Sequence, residues 1–103
     1  MFGKKSPEKL QASKRIVFEK LQDDDKMAAE RVEELIDNNP VVVNFTELDP
    51  MAYNKMLAFL SGASYALDGE TVKIKEDIYL FAKKEEFLDG SLRDFIERTR
   101  DNQ

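Results

Sequence analysis

Residues 40–45 form the most strongly hydrophobic stretch of the chain, with three valines and a phenylalanine in six positions. β-Branched and aromatic residues favour strands, and a proline stands at the start of the stretch and another after the turn that follows it. Alternation directs the odd-numbered side chains to one face and Val42 to the other. Because the strand is apolar on both faces, we predict that it lies at the centre of a sheet covered on both sides.

The residues before this strand predict one further strand and one helix. Residues 15–20 are predicted as a strand that directs Ile16 and Phe18 inward. Residues 26–38 repeat apolar side chains at the spacing of one helical face, and these are Ala28, Val32, Leu35 and Ile36. The two elements together precede the central strand as a strand–helix unit.

Three consecutive aspartates, Asp23, Asp24 and Asp25, stand between this strand and this helix. Adjacent carboxylates are one way to build a metal site. Carboxylates at the start of a helix also cap its free N–H groups and complement its dipole. We favour the capping interpretation and predict no metal site.

Asp49 and Pro50 predict the start of a second helix that runs to about Leu67, with Asp49 as the N-cap. Its apolar arc is too wide for a helix that lies on a sheet with its back in water. One stripe consists of Tyr53, Met56, Leu57, Leu60 and Leu67, and the second consists of Ala52, Met56, Phe59, Ala63 and Ala66. We predict that one stripe packs on the sheet and the other on a second helix or a second subunit.

Gly62 lies in the middle of this helix. A glycine there costs up to ~1 kcal/mol relative to alanine, and close approach by another backbone would compensate for it. We therefore predict a self-association surface that consists of Phe59, Gly62, Ala63 and Ala66. At the end of the helix, Gly69 is predicted to adopt the left-handed conformation.

Residues 71–75 and 78–82 are predicted to form a β-hairpin with a two-residue turn. One face of the hairpin suits the core, and its residues are Val72, Ile74, Ile78, Leu80 and Ala82. Lys73, Tyr79 and Phe81 then emerge on the opposite face. Exposed apolar patches of this kind mark contact sites on small proteins. The alternative is that the last helix of the chain covers the two aromatic rings.

The remaining residues predict a basic arm and a third helix. Residues 1–13 form the arm, in which Ser6 is placed to cap a short helix. The third helix follows the stripe Leu88, Leu92, Phe95 and Ile96. The fold class is therefore α+β, a small two-layer α/β sandwich in the order β-α-β-α-β-β-α, with helices packed on a mixed sheet in one domain from residue 14 to residue 103.

Composition restricts the classes of function. The chain has no histidine and no cysteine, so the commonest general base and the usual zinc ligands are missing. Its four glycines are isolated and build no phosphate-binding loop. The net charge of −5 argues against nonspecific nucleic-acid binding, although residues 1–15 carry five basic residues against one acidic residue. We predict a protein that is not an enzyme and has no cofactor.

Three segments together resemble the SepF family of bacterial and archaeal cell-division proteins. They are VVVNF at residues 41–45, FLSGASYALDG at residues 59–69, and KI followed by DIYLF within residues 73–81. The resemblance covers residues 15–83. It implies an α/β core that forms homodimers or higher polymers, binds the C-terminal tail of the tubulin-like protein FtsZ, and helps to assemble or anchor the division ring.

The resemblance also implies roles for particular residues. The tail-binding pocket of the family lies near the dimer interface and includes a lysine and an aromatic residue, which match Lys73 and Tyr79. We expect Phe81 to receive apolar side chains of the tail beside them, and Gly62 to take part in self-association. The expected location is cytoplasmic, at the division site and peripheral to the inner face of the membrane.

Two matters stay open at the level of the sequence. Family members use an N-terminal amphipathic helix to bind membrane, but Phe2 and Leu10 are the only large apolar side chains of the arm after Met1. An alternative function is a small regulatory domain that binds a metabolite at a homodimer interface. An enzyme built on two carboxylates is a third interpretation, for which no pair of carboxylates stands out.

Overall fold

The computed structural model describes residues 10–101, and the predicted Ser6 cap lies outside these residues. The described elements are β1 (Val17–Lys20), α1 (Asp25–Ile36), β2 (Val41–Asn44), α2 (Pro50–Ala66), β3 (Gly69–Lys75), β4 (Ile78–Lys83) and α3 (Ser91–Asp101). Two short 3-10 helices, Ala12–Arg15 and Lys84–Phe87, precede β1 and follow β4. The predicted α+β class and the predicted order of elements are confirmed.

The four strands form one mixed sheet in the order β1-β2-β4-β3. β1 and β2 are parallel, whereas β4 is antiparallel to both of its neighbours. β2 therefore lies inside the sheet, as its apolar sequence predicted. In the hairpin, Lys73 stands directly opposite Tyr79.

One face of the sheet, called here the α1–α2 face, carries the larger core. It contains the odd-numbered side chains of β2, as the alternation predicted. The fully buried members of this cluster are Leu21, Ala28, Leu35, Val41, Val43, Phe45, Met56, Leu60 and Phe81. The sheet-facing stripe of α2 supplies Met56 and Leu60, and Tyr53 and Leu57 pack against the same cluster.

The opposite face, called here the α3 face, is covered by α3 and by the first 3-10 helix. Its buried cluster consists of Ala12, Val42, Ile74, Leu80, Ala82, Leu92 and Ile96. The hairpin side chains predicted to face the core therefore do so, but they pack under α3 and not under α2. Both faces of β2 are covered, which explains why this strand has no polar side before Asn44.

Two local predictions are wrong. Phe18 is 63% exposed because β1 lies at the edge of the sheet, where α3 covers its ring only in part. At the end of α2 the left-handed residue is Asp68, with φ of 59°, and Gly69 is the first residue of β3. Gly69 is required by close packing instead, because a Cβ there would lie 2.7 Å from the backbone oxygen of Ala82.

Of the three aspartates at the start of α1, Asp24 acts as the capping interpretation predicted. The Asp24 side chain accepts hydrogen bonds from the backbone N–H groups of Lys26 and Met27. Asp23 and Asp25 contact the ammonium group of Lys55 at 2.8 and 3.4 Å. Among residues 10–101, no cluster of acidic, histidine or cysteine side chains could hold a metal ion. None of the helices described there has the length and hydrophobicity of a membrane-spanning segment.

Candidate functional site

Lys73 and Tyr79 form the exposed part of the hairpin on the α1–α2 face. They are cross-strand neighbours, so their side chains point to the same side of the sheet. The Lys73 side chain is about half exposed, and its Nζ lies 3.5 Å from Oε2 of Glu76 in the turn. Tyr79 is half-buried, with part of its ring against the core. The predicted juxtaposition of a cation and an aromatic ring is therefore present.

A hydrogen bond from α2 holds the turn of this hairpin. The Tyr53 hydroxyl donates to Oδ1 of Asp77 at 2.8 Å and lies 3.5 Å from the Tyr79 hydroxyl. Asp77 has a φ of 65°, and its carbonyl accepts a hydrogen bond from the N–H of Phe45 at 2.8 Å. Burial, followed by the hydrogen bonds with Tyr79 and Asp77, raises the pKa of Tyr53. Tyr53 therefore remains a neutral donor at physiological pH.

The aromatic rings beside this turn form one packed cluster. The Phe45 ring centroid lies 5.1 Å from that of Tyr53 and 5.3 Å from that of Tyr79, and Tyr79 lies 6.4 Å from Phe81. Phe81 is completely buried, so the prediction that it is exposed is wrong. The alternative that the last helix covers these rings is also wrong, because they belong to the α1–α2 core.

The sequence missed the contribution of Tyr53 and Asp77 to this site. Tyr53 was assigned to the packing of α2, and Asp77 was assigned to a turn. The pattern of hydrophobic positions gives no signal for a hydroxyl–carboxylate bond across 24 residues of sequence. The signal that was available is the positive φ that a two-residue hairpin turn demands, which aspartate tolerates better than most residues.

A second candidate surface is the outward side of α2, called here the outer α2 surface. Helical spacing places eight exposed residues on this side, and they are Met51, Asn54, Lys55, Ala58, Phe59, Gly62, Tyr65 and Ala66. Met51 and Tyr65 are 83% and 85% exposed, and Phe59 is 44% exposed. Apolar side chains spread over about four turns of a helix form the kind of patch that marks an interaction site.

Lys55 is the one charged residue on the outer α2 surface, and its charge is compensated within the chain. Its hydrogen bond to Asp23 is the main cause that raises its pKa, and the bond to Asp25 adds to the effect. A groove of about 390 Å³ lies beside it between α1 and α2, lined by Asp25, Ala28, Lys55, Met56 and Phe59. The outer α2 surface thus continues into an apolar groove.

The structure brings three of the four predicted self-association residues to this surface. Phe59, Gly62 and Ala66 are exposed, whereas Ala63 is half-buried. No atom within the described residues lies within 4 Å of a Cβ placed on Gly62, apart from the backbone of its own helix. Met51 and Tyr65 recur at the helical spacing of Gly62, so the periodicity of α2 is the signal that places them on the same surface.

A known protein family matches the same core region of the chain. A sequence model of the family described as "Cell division protein SepF" matches residues 16–85, which extend from the residue before β1 to the start of the second 3-10 helix. The matched segment therefore includes the hairpin site and all of α2. The first 3-10 helix and α3 lie outside it.

Several curated proteins named "Cell division protein SepF" are similar to this chain. The protein of Carboxydothermus hydrogenoformans is 39% identical over 61 residues, which cover 59% of this chain and 44% of the relative. The protein of Lactobacillus helveticus is 29% identical over 75 residues, which cover 73% and 51%. The chain spans about half the length of the curated relatives that it matches. Because the family model covers well over half of the sequence, the chain belongs to the SepF family of cell division proteins.

Proposed function

We propose that this protein is a non-enzymatic adaptor that associates with copies of itself and binds the C-terminal tail of the division protein FtsZ. Its membership of a cell-division family supports a role at the division site, on the cytoplasmic side of the membrane. The observation that carries the binding proposal is the pair of Lys73, which is exposed, and Tyr79, whose ring packs against Phe45 and Phe81.

In this proposal, Lys73 pairs with an acidic group of the tail and Tyr79 contacts its apolar side chains. Phe81 supports the Tyr79 ring from within the core and does not touch the tail. The present partner of Lys73 is Glu76, whose side chain is 83% exposed. Exposed ion pairs contribute little free energy, so a carboxylate of the tail can replace Glu76 at low cost.

Titration of an FtsZ tail peptide tests this site. We expect Lys73→Glu to weaken binding by about tenfold, the equivalent of 1.4 kcal/mol, because it places a negative charge against an acidic ligand. Tyr79→Ala should weaken binding as well, and circular dichroism will show whether that variant keeps its fold. The matched charge control is Lys26→Glu on the first turn of α1, which should bind as the wild type does. Equal binding by Lys73→Glu would remove the assigned site, and no binding by the wild type would refute the proposal.

Self-association is proposed to occur through the outer α2 surface. Glycine in a helix interior costs up to ~1 kcal/mol relative to alanine, and the described residues of the chain make no packing contact at Gly62 that would offset this cost. A second copy that packs closely on Gly62 would do so. Tyr53 connects α2 to the hairpin, so the two proposed contact surfaces lie on the same face of the sheet.

Light scattering of Gly62→Lys tests the second surface. We expect the variant to have a lower average mass than the wild type, because a lysine at Gly62 blocks close helix packing. Its helix content should not fall, since lysine has a higher helix propensity than glycine. Glu97→Lys, on the exposed side of α3, is the control and should keep the wild-type mass. A Gly62→Lys variant of unchanged mass would show that copies of the chain do not meet at this position.

A further inference from the structure

The outer edge of β1 carries backbone groups that are available for pairing. The N–H of Val17 donates to the Pro40 oxygen, and the N–H of Leu21 donates to the Asn44 oxygen, both at 2.9 Å. Because alternate residues of a strand direct their N–H and C=O groups to opposite sides, those of Phe18 and Lys20 point away from the sheet. No other strand within residues 10–101 pairs with this edge. Unpaired edges of this kind are templates for an added strand.

An apolar groove lies beside this edge on the α3 face. Its volume is about 420 Å³, and its lining includes Phe18, Val42, Ile78 and Phe95. The Phe18 ring is 63% exposed and stands 6.1 Å from the Phe95 ring, so the two rings form walls of the groove. An apolar side chain that entered here would cover aromatic surface that residues 10–101 leave exposed.

The charges around the groove favour an acidic partner. Lys20 lines one end, and Lys14 and Arg98 line the adjoining groove on the other side of Phe95, together with one acidic residue, Asp94. The Lys20 ammonium lies 3.6 Å from a Glu47 carboxylate, but both side chains are more than half exposed. The Glu19 side chain points to the α1–α2 face, where it pairs with Arg31. On this side of the edge, the three cations therefore outnumber the carboxylates of Asp94 and Glu47, although the chain as a whole has a charge of −5.

The other edge of the sheet is less suited to an added strand. Arg100 donates hydrogen bonds to the carbonyl oxygens of Lys73 and Ile74 on β3. The pairing register of β3 also shifts between Lys73 and Lys75. Irregular and covered edges resist strand addition. β1 has neither protection among the described residues.

We propose that β1 and the groove between Phe18 and Phe95 bind an extended, acidic peptide segment of another protein. The segment pairs with β1 as a fifth strand and places one apolar side chain between the two rings. Backbone hydrogen bonds supply the affinity, and the groove and its cations supply the selectivity. This site is independent of the proposed tail site, which lies at the opposite edge and on the opposite face of the sheet.

A second copy of the chain is a poorer occupant of this edge. Antiparallel pairing of two β1 strands about Glu19 would place two carboxylates opposite each other. Pairing about Phe18 would bring Lys20 of each copy toward the basic end of the other, where Lys14 and Arg15 stand. Like charges that face each other across strands are destabilising.

Fluorescence polarisation with a capped, labelled heptapeptide of sequence DEVFVDE tests the proposal on the full chain. We expect saturable binding, and binding at least tenfold weaker for the basic analogue KRVFVKR. Lys20→Gln removes the charge alone, whereas Lys20→Pro also removes the outward N–H without breaking a bond to β2, because proline is tolerated on edge strands. We expect Lys20→Pro to weaken binding about tenfold beyond Lys20→Gln. Phe18→Ser should weaken binding, and Leu88→Ser, which alters an exposed apolar side chain before α3, should not.

Several outcomes would overturn the proposal. They are absence of saturable binding by the wild type, equal binding by Lys20→Pro and Lys20→Gln, and full retention of binding by Phe18→Ser. A peptide-independent fall in mass on Phe18→Ser would assign the edge to a second copy instead. Lys73→Glu separates this site from the proposed function, because it should bind the heptapeptide as the wild type does while it loses affinity for the FtsZ tail.

Discussion

At the scale of single residues, Gly62 and Gly69 differ in whether the fold has room for a side chain. A Cβ at Gly69 would lie 2.7 Å from the Ala82 oxygen and 2.9 Å from the Ser64 oxygen, so the strand and helix backbones exclude any side chain. Gly62 is open to solvent. The first glycine is required by the fold, whereas the fold alone gives no reason for the second.

Alanine at these two positions should therefore have effects of opposite sign. We expect Gly69→Ala to lower the free energy of unfolding by about 1–3 kcal/mol, as overpacking does. Gly62→Ala should raise it by up to ~1 kcal/mol, because alanine has the higher helix propensity. Urea denaturation of both variants measures the difference. Loss of stability in Gly62→Ala would mean that the helix needs glycine there for a reason within the chain.

Residue types alone predicted the capping aspartates but not the burial of Phe81. Asp24 and Asp49 act through their own helix ends, so a few neighbouring residues determine their hydrogen bonds. The burial of Phe81 depends on where β4 lies in the sheet, and that is set by pairing with β2, which is distant in sequence. Local chemistry can be predicted from a sequence, whereas the outward face of a strand cannot until its neighbours are known.

At the scale of elements, α3 depends on a carboxylate just before its first residue. Asp89 accepts hydrogen bonds from the backbone N–H of Ser91 and from the Ser91 hydroxyl, and through its other oxygen from the N–H of Ala12. The bond from Ala12, followed by those from Ser91, lowers the pKa of Asp89. One side chain thus joins the start of α3 to the first 3-10 helix.

The stability that Asp89 contributes should depend on pH. Because its pKa is lower in the folded chain, the contribution is complete above the ordinary aspartate pKa of about 3.9 and is lost as the pH falls through the lowered value. We expect Asp89→Ala to cost about 1 kcal/mol at pH 7, the usual loss for a helix cap, and less at pH 2.5. Asp94→Ala is the control, since its carboxylate makes none of these bonds. An equal loss at both pH values would show that the charge of Asp89 is irrelevant.

The sequence predicted the secondary-structure elements more accurately than the packing contacts between them. Hydrophobic periodicity identified all three helices and the hairpin, because that signal is local. It also sorted the hairpin side chains correctly into two sets. It could not show which helix covers which set. Leu80 and Ala82 face the core as predicted, and the helix that covers them is α3. Two apolar faces on one hairpin have no local feature that distinguishes them.

At the scale of the whole molecule, Arg15 joins three distant segments. Its guanidinium donates to the carbonyl oxygens of Leu10 and Asn38 and forms an ion pair with Glu86 in the second 3-10 helix. The side chains of Arg15 and Glu86 are 15% and 3% exposed. An ion pair buried to this extent is costly to break from one side, because the remaining charge loses this opposite charge in a poorly solvated place.

Removal of Arg15 alone should therefore lower the free energy of unfolding more than removal of both charges does. We expect Arg15→Met to lower the free energy of unfolding by about 3 kcal/mol, and the double variant with Glu86→Gln to lose less. Chemical denaturation of the two variants and of Glu86→Gln alone completes the comparison. A double variant as unstable as the sum of the single variants would show that the two charges do not interact.

The two faces of the sheet are closed by different parts of the chain, and this has a consequence for synthesis on the ribosome. The α1–α2 face needs only residues up to β4, whereas the α3 face needs contacts such as those from Ala12 and Ser13 to Asp89 and Ser91, which span 77 and 78 residues. A nascent chain leaves the ribosome from its N-terminus onward, so the residues of the first layer emerge before residues 84–101 do. Until α3 arrives, the apolar side of the hairpin is open to other molecules. We expect the burial of Leu80 and Ala82 under α3 to be a late step of biogenesis, so a chaperone that binds the nascent chain would meet this face.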